Sequence, residues 1–221
     1  MNGFGRLLGR PEWQPLPTWG VTNSKFARII ELCTGKDVLD CGCVGSGLDD
    51  PGGMASTTHY HIAAAARRCV GIDIMKDEVE KRRAAGYDVR VANAETMDLG
   101  ETFDVIVAGD LIEHLSNPGL FLERTRLHLR RDGLLCIVTP NPWSMNAVAK
   151  AVLKIETRIN PEHTCWFDPS TLKQLLQRYG FEPLEWYWQE YGVIPVAHLL
   201  VRLRHNLASH FIAIAQKAGG D

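Results

Sequence analysis

A short apolar run that closes on an acid and passes straight into a glycine-rich turn, Val38-Leu39-Asp40-Cys41-Gly42-Cys43-Val44-Gly45-Ser46-Gly47, fixes most of what this chain can fold into. Further on, Cys69-Val70-Gly71-Ile72-Asp73 repeats the device, an apolar run ending in a carboxylate. Strand, glycine loop, helix, strand, acid is the layout of an α/β crevice for a nucleoside, with the second acid where a ribose would lie. Glycines alone also make ordinary turns, so the weight rests on that second acid and its position.

The rest of the chain continues the alternation. Apolar runs at Asp37–Cys41, Cys69–Ile74, Asp88–Ala92, Phe103–Ala108, Leu134–Thr139, Phe181–Trp188 and Phe211–Gln216 read as strands. Phe103–Ala108 is nearly all apolar, as a strand buried on both faces of a parallel sheet must be. Helical spacing predicts helices over Thr22–Cys33, His59–Arg67, Asp77–Ala85, Pro118–Arg130 and Pro169–Tyr179. Asn117 is a natural N-cap, Pro118 a natural first helical residue, and Gly86 a stop. Such alternation gives a single doubly wound α/β domain. Residues 1–35 are expected to be an N-terminal arm, irregular over 1–21, with a cap helix; 36–221 form the main domain. Within it, 143–168 is expected to be a lid and 191–209 an amphipathic insertion.

At 221 residues, with 45% hydrophobic and 23% charged residues, the chain suits one soluble domain with a sizeable core. The net charge of −2 offers no basic field for nucleic acid or an anionic membrane. Six cysteines without Cys-x-x-Cys spacing point to small buried hydrophobes and a reduced, cytosolic compartment. The first residues lack the apolar core of a signal peptide, and Val193–Val201 is interrupted by Pro195 and His198, so no membrane span is expected.

Taken in order, LDCGCVGSG, VGID, ANAE, FDVIVAGDLIEHLSNP, the Gly133 strand LLCIVTPN and HTCWFDPSTLKQLLQRYGF resemble a class I S-adenosylmethionine-dependent methyltransferase from about Val38 to Phe181. The acid-x-x-Glu-His turn is most similar to the ubiquinone-type O-methyltransferases and the small-molecule methyltransferases around them. That resemblance implies a seven-stranded, mostly parallel Rossmann-like sheet with an antiparallel last strand, and S-adenosylmethionine as cofactor. A dehydrogenase would use the same crevice, but its Gly-x-Gly-x-x-Gly spacing fits glycines at 42, 45 and 47 poorly. Two departures from the family pattern stand out. Val44 intervenes in the usual Asp-x-Gly-x-Gly-x-Gly loop, and the polar stretch 48–57 delays the following helix. Asn93 stands where relatives often carry Asp.

Gly42, Gly45 and Gly47, with Cys43 between them, would let the backbone approach the cofactor. Asp40 has two readings, an orienting or water-mediated contact to the cofactor's ammonium, or a cap on loop or helix. Asp73 is expected to accept from both ribose hydroxyls, with Ile74, Asn93 and Ala94 around the adenine. Asp110 belongs to the same rim.

Asp110, Glu113 and His114 stand at i, i+3 and i+4, so a helical turn would project them from one face. Three readings stand side by side. His114 can act as general base beside a carboxylate. Asp110, Glu113, His114 and a downstream His163 can hold a divalent metal. The Glu-His pair can simply tie the turn to the next loop. The expected function is methyl transfer to a small-molecule hydroxyl, on a sugar or secondary metabolite. Metal-assisted RNA 2′-O-methylation and a non-catalytic cofactor-binding or partner-binding member are the alternatives. Residues 193–204 read as a lid or a homodimer helix ahead of a membrane-surface contact.

Overall fold

The computed structural model describes residues 19–22, 26–45, 57–155, 160–189 and 204–219. Its strands are β1 (Trp19–Thr22), β2 (Asp37–Cys41), β3 (Arg68–Asp73), β4 (Val89–Val91), β5 (Phe103–Gly109), β6 (Leu129–Pro140), β7 (Phe181–Gln189) and β8 (His210–Lys217). The helices are α1 (Ala27–Cys33), α2 (Thr58–Ala65), α3 (Lys76–Ala84), α4 (Pro118–His128), α5 (Met145–Val152) and α6 (Pro169–Arg178).

All strands join one sheet in the order β1-β7-β8-β6-β5-β2-β3-β4. Pairing is parallel throughout, except that β8 runs antiparallel to both β6 and β7. The seven strands expected from sequence are all present, and the last of them is the antiparallel one. An eighth, β1, takes the end of the stretch read as irregular over 1–21 and Thr22, the expected start of the first helix, which begins only at Ala27. Four residues carry too little periodicity to read, and the open edge of β7 supplies the ladder, pairing Trp19 with Trp186 through to Thr22 with Gln189.

Alternation along the strands divides the core into two layers. Leu39 and Cys41 of β2, with Ile106 and Ala108 of β5, face the layer containing Phe121 and Leu122 of α4 and Leu172 and Leu176 of α6. Val38, Val105 and Val107 face the other, against Ile29 and Cys33 of α1 and Ile62 of α2. Burial on both sides is why β2 and β5 read as unbroken apolar runs. Each fully buried aliphatic or aromatic side chain here contributes about 1.5–3 kcal/mol. The six cysteines are all free, and four of them are buried in this core.

Element ends follow local chemistry. Asn117 caps α4 by accepting from the Leu120 amide at 3.2 Å, with Pro118 next. Asp168 and Thr171 form a reciprocal capping box on α6. β6 begins at Leu129, earlier than its apolar run suggests, because Leu129 already pairs with Phe103. Within 143–168 lies α5, with no strand among the described residues. Of the insertion expected at 191–209, residues 190–203 lie outside the described residues, and His205–Leu207 form a 3₁₀ turn. That turn is pinned by the buried Asn141, whose amide donates to the Asn206 and Ala208 carbonyls at 2.9 and 2.8 Å. No helix among the described residues is long and apolar enough to cross a membrane.

Candidate active site

The C-terminal ends of β2, β3 and β5 meet at one rim, where an open parallel sheet places its ligands. As β2 ends, Gly42 turns in the left-handed region (φ 76°), and its amide donates to the Ile72 carbonyl at 2.9 Å. A β-carbon there would sit 3.2 Å from the Leu111 side chain. The glycine loop therefore packs directly on the segment that follows β5. Gly45 also adopts positive φ, whereas Ser46, Gly47 and the polar stretch up to residue 56 lie outside the described residues.

Val44, the residue that departs from the usual loop, is fully buried beside Cys43, Val79 and Val89. Its amide donates to Asp73 Oδ2 at 3.1 Å, and its carbonyl accepts from Arg82 Nη2 at 2.6 Å. The extra residue is thus anchored at both backbone polar groups and by its side chain. Arg82 lies only 1% exposed on α3.

Asp40 points to the α1/α2 side of the sheet. Its carboxylate is buried and meets His59 Nδ1 of α2 at 2.9 Å. The helix itself is capped by Thr57, which accepts from the Tyr60 amide at 3.3 Å, so His59 is free to turn inward as a brace between α2 and β2. The His59 ring and the Cys43 side chain together fill the space over Gly71. A β-carbon on Gly71 would lie 2.8 Å from both His59 Cε1 and Cys43 Sγ. The glycine of Val70-Gly71-Ile72 is therefore a requirement of close packing.

Asp73 is half-buried at the end of β3. Oδ2 takes the Val44 amide and Oδ1 takes the Met75 amide at 3.0 Å. A carboxylate oxygen accepts more than one bond, so both retain capacity for hydroxyl donors. Beside it Ile74 is 69% exposed, and Met75 and Val91 are also exposed, an apolar shelf at the strand ends. Asn93 Oδ1 accepts the Glu95 amide at 2.8 Å, and Ala94 behind it is buried. Glu95 in turn accepts from the Asn117 amide, joining this shelf to the start of α4.

After β5, Asp110 takes a left-handed conformation (φ 51°), and a 3₁₀ turn over Ile112–His114 follows. The carboxylate of Asp110 faces His210, with Nε2 to Oδ1 at 3.7 Å. Glu113 is buried. Thr139 donates to its Oε2 at 3.0 Å, while Oε1 is buried without a hydrogen bond among the described residues. Burial, helped by the charge of Asp110, pushes the Glu113 carboxyl up to about 7. The backbone carbonyl of Glu113 accepts the Thr164 amide at 2.8 Å, and the Thr164 hydroxyl donates to the Leu115 carbonyl at 2.7 Å. These bonds strap the segment around His163 across the turn. The His163 and His114 rings meet edge-on with centroids 4.6 Å apart, and Trp166 closes on His163 at 5.8 Å. Burial and the neighbouring His114 hold His163 below the ordinary imidazole value.

Ligand-capable atoms of Glu113, His114 and His163 all lie within 4.8 Å of one another. The four-residue set expected from sequence is thus three-quarters assembled. Asp110 stands outside it, because its positive φ and the 3₁₀ turn replace the α-helical spacing that would have put it on the same face. The three gathered residues fit a divalent cation. They supply a carboxylate and two imidazoles, and Glu113 Oε1 and His163 Nδ1 are both buried without a partner among the described residues. Sequence reasoning missed Arg82, which lies within the helix expected over Asp77–Ala85. Its spacing from Val79, three residues back on the same helical face, was the available signal.

With this geometry in place, comparison with known proteins settles the class. Residues 16–185 match the family described as methyltransferase domain. A probable S-adenosylmethionine-dependent methyltransferase of Mycolicibacterium smegmatis is 31% identical over 71% of this chain and 56% of its own length. A ubiquinone biosynthesis O-methyltransferase of Azorhizobium caulinodans is 30% identical over 72% of this chain and 64% of its own. Among solved structures, a SAM-dependent methyltransferase from Methanosarcina mazei aligns with a TM-score of 0.63 at 18% identity, covering 90% of this chain and all of that one. The chain belongs to the methyltransferase-domain family. It spans about half the length of the mycobacterial relatives it matches.

Proposed function

We propose that the chain binds S-adenosylmethionine at the glycine loop and Asp73, and that the rim beside it directs methyl transfer to a hydroxyl of a small-molecule acceptor, a sugar or secondary metabolite. The observation that carries this reading is the gathering of His163 with Glu113 and His114 across a turn whose Leu111 packs against Gly42. The bound cofactor supplies an electrophilic methyl on a sulfonium. Asp73 holds the ribose, Ile74, Asn93 and Ala94 flank the adenine, and the Gly42–Gly45 backbone approaches the remainder. His114 would take the proton that the acceptor oxygen loses as it bonds to the methyl carbon, the carbon–sulfur bond breaking to leave a neutral thioether. The strap carrying His163 and Trp166 keeps water from that side, and positioning supplies the rest of the rate. Names among the relatives, ubiquinone biosynthesis O-methyltransferases, favour oxygen as the acceptor atom, and the net charge of −2 favours a small molecule over RNA.

The unpartnered Glu113 Oε1 and His163 Nδ1 favour a second version of the same reaction. There Glu113, His114 and His163 hold a divalent cation that lowers the acceptor hydroxyl's pKa.

A mass-spectrometric search for lysate molecules that gain one labelled methyl identifies the acceptor. With it, His114→Ala is expected to lower turnover by about 10²–10⁴-fold while cofactor binding persists. Activity that survives EDTA in the native protein assigns the proton to His114 alone. Loss in EDTA with recovery on Mg²⁺ or Zn²⁺ assigns the cation. Full activity in His114→Ala sinks both versions.

A further inference from the structure

Arg82 is a guanidinium 1% exposed on α3, and among the described residues it forms no ion pair with a carboxylate. Nη2 spends its charge on one backbone carbonyl, that of Val44, while Nε is buried without a hydrogen bond. Among the described residues the guanidinium meets a single carbonyl, and burying an arginine for so little is costly. Val44 explains what the bond accomplishes. It is the extra residue of the glycine loop, and a loop lengthened by one residue has more conformations to lose before it can grip a ligand. Arg82 fixes the Val44 carbonyl, and the Val44 amide in turn fixes Asp73 Oδ2. Charge-assisted bonds therefore hold Val44 at both backbone groups, one from a guanidinium and one to a carboxylate.

We infer that Arg82 is a positioning residue for ribose recognition: through Val44 it orients the Asp73 carboxylate towards the two ribose hydroxyls. This rests on the proposal that Asp73 binds the cofactor's ribose. It accounts for how an elongated loop keeps that geometry, and it makes Arg82 and Val44 a matched pair.

Calorimetry with S-adenosylhomocysteine and its 2′-deoxyribose counterpart tests it. Arg82→Met keeps the apolar stem and removes the guanidinium. It is expected to weaken S-adenosylhomocysteine by about tenfold, the worth of one charge-assisted hydrogen bond. The 2′-deoxy ligand should be weakened less, so the preference for ribose shrinks. Arg82→Lys, which can still donate to the Val44 carbonyl, should lie between Arg82→Met and the native protein in both affinity and preference. If Arg82→Met does not fold by circular dichroism, the test passes to Arg82→Lys, where equal weakening of both ligands overturns the inference. With Val44 deleted, the further change Arg82→Met should have little additional effect, because the carbonyl it serves is gone. Equal weakening of both ligands would mean a purely structural arginine and overturns the inference, as does unchanged affinity. Failure of the native protein to bind either ligand would instead remove the cofactor reading beneath it.

Discussion

Acids lie at both ends of the parallel strands β2 and β5, and one closes β3, and the two ends of the sheet treat those acids oppositely. At the N-terminal ends of β2, β3 and β5, every acid meets arginine. Asp37 accepts from Arg67 and Arg130, Asp104 from Arg130 and the Asp37 amide, and Glu101 from both Arg68 and Arg90. Bonds from Arg67 and Arg130 hold the Asp37 carboxyl below its ordinary value, and Arg68 does the same for Glu101. Asp104 is lowered by the Asp37 amide and Arg130 despite the opposing push of burial. At the C-terminal ends, Asp40 meets a histidine, Asp73 two backbone amides and Glu113 a threonine hydroxyl, with Glu113 pushed up to about 7 by burial. One end spends its charges on the fold. The other leaves Asp73 and Glu113 with no cationic partner among the described residues, the pattern on which the proposed site rests.

The largest expected separation between the ends is in binding. Asp73→Ala should weaken S-adenosylmethionine on the order of a hundredfold, the worth of two hydrogen bonds to an ionised group. Asp104→Ala should leave that affinity unchanged. Calorimetry on the two variants breaks the contrast if their effects are alike.

Next is the pH dependence of stability, where the ends should differ in sign. The folded-state value of Glu113 is raised, so folded protein keeps a proton between about 4.5 and about 7, a window in which the unfolded chain has lost it. Stability from this group falls as pH rises through that window, and the full cost is present above it. In EDTA-treated protein, Glu113→Gln should therefore stabilise by up to about 3 kcal/mol at pH 8 and by little at pH 4. Urea denaturation at both values checks this, and an equal effect at the two would refute it. For Asp37 and Glu101, whose folded values are lowered, the stabilisation is present above the unfolded value and lost as acid carries pH down through the folded one.

The smallest effect is at the structural end. Asp104→Asn should cost about 1 kcal/mol, one charge-assisted bond in a half-exposed network, with the loss shrinking at low pH and in high salt. A denaturation midpoint unchanged at neutral pH would mean the N-terminal network is ornamental, and the contrast would rest on the site alone.

How much of this could be read beforehand divides along the same line. The strands β2, β3 and β5 announced themselves because burial on both faces demands unbroken apolar runs, and the helix caps at Asn117 and Asp168 follow from local hydrogen bonding. Asp73 and the Glu113-His114 pair were readable because the chain order of such a fold fixes where strands end. Three features were not. β1 exists because of an edge that β7 provides from the far end of the chain. Asp110 turns away because of a backbone angle that no residue pattern encodes. Arg82 and His59 are each drawn inward by a partner distant in sequence, the Val44 carbonyl and the Asp40 carboxylate. Buried polar groups of this kind are specified by three-dimensional company, and hydrophobic periodicity is blind to them.

The contact of Leu111 with Gly42 gives the rim a thermodynamic property that neither of its halves has alone. The cofactor loop and the histidine-bearing turn share one packed surface, so a ligand that selects one arrangement of the loop also selects among arrangements of the turn. Whatever factor the cofactor adds to acceptor affinity through this contact, the acceptor must return to the cofactor. A residue on the reaction's acceptor side would then be felt as tighter or looser nucleoside binding.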